Sequence, residues 1–120
     1  MGRIPAMNEE EKTKKVLEEL LEPFGIEVEV WGNASNHYFP IFLEKDGKQI
    51  GIRRENDSFQ QWSWRSMEDL KDILFNGSSF VKDYGFHRAH PDFYVQNPFF
   101  KCRSLEEALI KKDLLENVSV

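Results

Sequence analysis

The stretch "FLEKDGKQIGI" (42–52) constrains this chain more than any other. Asp46-Gly47 sits between two runs in which apolar residues alternate with polar ones. Asp-Gly is the pair that a two-residue type I′ turn selects, because both central residues must take positive φ. A two-residue turn fixes the pairing: Lys45 faces Lys48, Leu43 faces Ile50 and Ile41 faces Ile52. A second turn at Glu55-Asn56-Asp57, read as three residues, pairs Arg54 with Ser58 and Ile50 with Trp62. The two registers agree on which side chains share a face, and a slip of one residue would exchange the faces. One face receives Ile41, Leu43, Ile50, Ile52, Trp62 and Trp64. The other receives Phe42, Glu44, Gln49, Gly51, Arg53, Phe59, Gln61, Ser63 and Arg65.

Helices are placed by periodicity and caps. Asn8 precedes Glu9-Glu10-Glu11, acidic residues in a first turn where the helix dipole favours them. Val16, Leu17, Leu20 and Leu21 form the apolar stripe of that helix, and Pro23 with Gly25 ends it. Ile26, Val28 and Val30 then alternate with Glu27, Glu29 and Trp31 as a strand. Ser66 caps a second helix with Asp69 at the box position and Met67, Leu70, Ile73 and Leu74 as its stripe. Asn76-Gly77 is expected to close that helix in the left-handed manner. Ser104 with Glu107 caps a third, lined by Leu105, Ala108, Leu109 and Leu115. Between them, Phe80–Val81 opens a weaker extended region. A similarity at an offset of 38, in which Arg65-Ser66-Met67-Glu68 meets Arg103-Ser104-Leu105-Glu106, is read as two strand-to-helix junctions using the same capping chemistry.

These elements predict an α+β fold: an antiparallel sheet of four to five strands, with an N-terminal, a middle and a C-terminal helix packed mainly on one face. The chain of 120 residues is the size of one domain. Residues 8–120 are expected to form that domain, and residues 1–7 a disordered tail or an expression remnant.

Charge and cysteine content narrow the function. The formal net charge is −5, and residues 1–40 carry four basic and eight acidic groups, so the acidity belongs to the first helix and strand. A chain so charged gains no long-range attraction to phosphate backbones. The single cysteine, Cys102, allows no internal disulfide and fits a reducing compartment. No signal-peptide pattern and no apolar run long enough for a bilayer occur, so the expected location is cytoplasmic and no membrane is expected.

The segment "YGFHRAHPDFYVQNPFF" (84–100) holds two histidines three residues apart. Zinc wants three or four ligands, and His87 and His90 supply two on a stretch where Gly85 and Pro91 oppose a helix. They are weak metal candidates beside a plainer reading, an irregular loop in which Phe86, Phe93, Phe99 and Phe100 insert into the core. Cys102 between Lys101 and Arg103 is read as a small hydrophobe ahead of a thiolate. With no phosphate loop, nucleophile elbow or metalloprotease pair, no enzyme, no cofactor and no metal is expected.

The open sheet face is the stronger lead. It carries Phe42, Arg53, Phe59, Gln61 and Arg65, with Trp31 joining through the first strand. Arginine with flat aromatics characterises protein interfaces and single-strand nucleic-acid platforms alike. The expectation is a non-catalytic intracellular protein-interaction module, a small regulatory or inhibitory adaptor. A weak single-stranded nucleic-acid binder using the same face is the alternative, and an acidic decoy for a basic partner is a second. Homodimerisation through that face or an exposed strand edge is a further expectation.

Overall fold

A computed structural model describes residues 9–30, 40–54, 60–82 and 94–118. In chain order these form α1 (Glu9–Leu21), β1 (Glu27–Val30), β2 (Ile41–Lys45), β3 (Lys48–Arg54), β4 (Gln60–Gln61), α2 (Met67–Asn76), β5 (Gly77–Lys82), β6 (Tyr94–Gln96) and α3 (Leu105–Val118). All strand pairs are antiparallel, in the order β1-β2-β3-β5-β6, and the short β4 also pairs with β3.

The hairpin forms as the turn chemistry dictates. Asp46 and Gly47 take φ of 54° and 77°, and Lys45↔Lys48, Glu44↔Gln49 and Leu43↔Ile50 are paired. The expected Ile41↔Ile52 pair does not form. The backbone of Ile41 exchanges hydrogen bonds with Trp64 instead, at 2.8 and 3.0 Å. The second register is also displaced by one residue: Ile52 pairs with Gln61 and Arg53 with Gln60. A three-residue turn would have required Ile52 opposite Gln60. Trp64 is nevertheless buried, because its bond to Ile41 restores it to the core side, whereas Trp62 is half-buried.

Asn8 lies outside the described residues; the other helix ends follow the expected caps with one exception. Ser66 Oγ accepts from the Asp69 N–H at 3.1 Å and Ser104 Oγ from the Glu107 N–H at 3.1 Å, the same device at both junctions. Glu107 also accepts from the N–H of Arg103, the residue ahead of the Ser104 cap. Gly77, expected as a left-handed cap, is instead extended, with φ −100° and ψ 130°. It is required for space: a Cβ there would lie 1.9 Å from Ile52 Cγ2 and 2.9 Å from the Ile73 carbonyl oxygen. The chain passes straight from α2 into β5, so the last helical carbonyls need partners from elsewhere. Asn97 supplies them. Its Nδ2 donates to the Leu74 and Gly77 carbonyls, both at 2.6 Å, while its Oδ1 accepts from the Phe99 N–H at 2.9 Å. The Lys101 N–H donates to the Phe75 carbonyl at 2.6 Å, from a residue at φ 71°.

One core joins the sheet to all three helices. Leu17, Leu20 and Leu21 of α1, Leu70, Ile73 and Leu74 of α2, and Ala108 of α3 meet Ile41, Leu43, Ile50, Ile52 and Phe80. Phe24 closes one end, its ring 5.2 Å from Phe80 and 6.3 Å from Phe99. Of the four phenylalanines assigned to the core from the 84–100 segment, Phe99 is buried and Phe100 half-buried with the Lys101 ammonium over its ring. Phe86 and Phe93 lie outside the described residues.

Candidate functional site

Strand register sorts the residues of the sheet. Val28, Leu43, Ile50, Ile52, Phe80 and Val95 share the helix-covered side. Glu27, Glu29, Phe42, Glu44, Gln49, Gly51, Arg53, Ser79, Val81, Tyr94 and Gln96 share the other. The C-terminal helix does not cover that second side, since Ala108, Leu105 and Leu109 pack into the core with α1 and α2. The face is not bare, however: Val81 at its middle is 0% exposed.

Its two ends differ in charge. At the β1–β2 end Glu27 is directly opposite Glu44, and Glu29 is two pairs further along, opposite Phe42. Partial burial, then the charge and hydrogen bond of Glu29 and the charge of Glu27, push the Glu44 carboxyl above its ordinary range. At the β3–β6 end the Arg53 guanidinium donates to the Tyr94 hydroxyl at 2.9 Å. Tyr94 is 47% exposed, so the pair stands at the surface.

Of the residues expected on this face, Phe42 and Arg53 are on it, both half-buried. Trp31 and Phe59 lie outside the described residues, as do His37, His87 and His90. The β3–β4 register pairs Arg53 with Gln60, in place of the expected Phe59, and pairs Gln61 with Ile52. Arg65 is not beside Arg53 either. The β3–β4 ladder ends at Gln61, and past Trp64 the chain turns toward α2, so that Arg65 and Arg54 line a cleft against that helix. Tyr94 was missed because the period-two signal around it, Tyr94-Val95-Gln96, is only three residues long.

A second, apolar depression of about 610 Å³ lies between the end of α1, the Pro98–Phe99 turn and α3. Leu20, Phe24, Phe99 and Leu115 line it, and Lys112 at its rim is paired with Glu116 at 2.9 Å. Cys102 belongs to the buried core, and that burial pushes its thiol above the ordinary range, so a thiolate there is disfavoured. Among the described residues no group of three or more His, Cys, Asp or Glu side chains is placed to hold a metal ion. No described helix is long and apolar enough to cross a membrane.

The chain matches no protein-family model, no curated protein and no solved structure.

Proposed function

We propose that the chain is a protein-interaction module, a small regulatory or inhibitory adaptor that engages its partner at the β3–β6 end of the helix-free sheet face. The observation that carries this reading is the Arg53–Tyr94 pair, an arginine already oriented by an exposed tyrosine. Arg and Tyr are the residue types most often found at energetic centres of interfaces. A guanidinium held in place before contact loses less freedom on binding. The carboxylates of Glu27, Glu29 and Glu44 at the far end of the face oppose a polynucleotide and favour a partner with charges of both signs.

The test is affinity capture from the source cell with three forms of the chain, folding being followed by circular dichroism. A partner retained by the wild type and by Glu18→Lys, and lost with Arg53→Glu, supports the reading. A partner lost with Glu18→Lys alone would move the working surface to the acidic helix α1, where Glu18 is exposed. Salt-sensitive retention on single-stranded polynucleotide would replace the reading with a nucleic-acid one.

A further inference from the structure

The cleft that received Arg65 is lined by a residue with an unmet donor. Trp64 is 6% exposed, and its buried indole Nε1 has no hydrogen-bond partner among the described residues. Indole N–H is a donor only, and buried donors are rarely left unpaired in a native protein. Trp64 is also one of the residues lining the cleft, whose volume is about 380 Å³, within the range of roughly 300–1,000 Å³ usual for ligand sites.

The walls define what would fit. Arg54 and Arg65 contribute two guanidinium groups, and among the described residues the Arg54 side chain has no hydrogen bond or ion pair. Opposite them, Asp69, Asp72 and Asn76 recur at spacings of three and four along one face of α2. Two arginines against two aspartates make the cleft formally neutral, so a bare anion meets as much repulsion as attraction. The complementary ligand presents a carboxylate to the arginines, a carbonyl to the Trp64 N–H, and N–H groups to the aspartates. An extended peptide offers all three. From Asp69 to Asn76 the helix rises by about 10 Å, the length of about three extended residues.

We infer that the cleft between Arg54, Arg65 and helix α2 is a docking site for a short extended segment of a partner protein carrying an acidic side chain, with the Trp64 N–H donating to the segment's backbone. The site goes beyond the function proposed above, since it lies on the helix side of the sheet, away from the Arg53–Tyr94 pair.

The experiment uses the full chain labelled with ¹⁵N. Trp64→Phe, which keeps an aromatic ring and removes the N–H, assigns the Trp64 indole resonance. The chain is titrated at low salt with acetyl-Ala-Glu-Ala-amide, with the Gln analogue of that peptide, and with inorganic phosphate. The expected result is a saturable shift of the Trp64 indole resonance by the Glu peptide, weakened at least about fivefold in Arg54→Gln. Arg53→Glu is expected to leave the shift unchanged, so the two sites fail separately. Four results overturn the inference: no saturable shift up to about 20 mM peptide; equal binding of the Gln peptide; equal binding of phosphate, which would make this a plain anion site; or undiminished binding by Arg54→Gln. If Trp64→Phe fails to fold, the Arg54→Gln comparison and the peptide series still decide the matter.

Discussion

Asn97→Ala is expected to be among the most destabilising single changes outside the apolar core. The side chain is 1% exposed and satisfies three backbone groups at once: the Leu74 and Gly77 carbonyls and the Phe99 N–H. Truncation strands two acceptors and one donor where water has little access. Each such group costs about 1–3 kcal/mol, and with partial relaxation the sum is about 3–5 kcal/mol. That is a large part of the total stability of a small domain, about 5–15 kcal/mol. With a urea dependence of roughly 1.5 kcal/mol per M, the urea midpoint should fall by about 2–3 M. Asn97→Asp is the sharper probe. It has nearly the same shape, but sets a carboxylate oxygen where Nδ2 faces two carbonyls at 2.6 Å. The charged form is disfavoured there, so the folded-state pKa of that aspartate should rise above its unfolded value. Folding then takes up a proton, and the variant should be most stable below the ordinary Asp range and lose stability as pH rises. A midpoint drop under about 0.5 M for Asn97→Ala would refute the claim that this side chain closes the α2–β5 junction. An Asn97→Asp variant with the pH dependence of the wild type would refute it as well.

Gly77→Ala should cost roughly 1–3 kcal/mol or more in urea denaturation, because the backbone angles suit alanine but its Cβ would meet Ile52 Cγ2 most severely and the Ile73 carbonyl oxygen as well. Combining it with Ile52→Ala, which removes the clashing methyl, should cost less than the two changes added. Trp64→Ala should cost about 3–5 kcal/mol and Trp62→Ala distinctly less, since only Trp64 is fully in the core; equal losses would restore the Ile50–Trp62 register. Glu44→Gln addresses the carboxylates of β1 and β2. The folded-state pKa of Glu44 is raised, so the ionised form is the one folding penalises, and the penalty appears as pH rises above the ordinary glutamate value. The substitution should therefore raise the Tm at pH 7 and leave it unchanged near pH 3; an equal gain at both would assign the effect to something other than charge.

Much of the fold is legible because its signals are local. Asp46-Gly47 admits one turn type and so one register, and Leu43 does face Ile50. Ser66 and Ser104 cap helices because a hydroxyl there competes for the first free N–H groups. The register of β4 was not legible for the opposite reason. The sequence Glu55-Asn56-Asp57 contains no Asp-Gly or Asn-Gly pair to dictate a turn length, and Ile41, far away in the chain, takes the backbone of Trp64. The one-residue shift pairs Gln61 with Ile52 instead of Gly51, and Arg65 lies beside Arg54 in the cleft against α2 instead of beside Arg53. Asn97 carries no periodic signal, since its role depends on where α2 ends in space. Gly77 was recognisable as necessary, but sequence alone does not distinguish a glycine needed for its angles from one needed for its absent side chain.

Among the described strands β1 is an edge of the sheet, and Glu27 and Glu29 lie on it beside Glu44. Their mutual repulsion weakens the domain at neutral pH, yet charges along an unpaired edge are also what keep a second chain from adding to it. Acidification acts on both at once. Protonating Glu44 relieves the strain within one molecule and, in the same step, lowers the charge that guards against a second molecule. Thermal stability and solubility should consequently move in opposite directions between pH 7 and pH 4, the melting temperature holding or rising while light scattering records growing association.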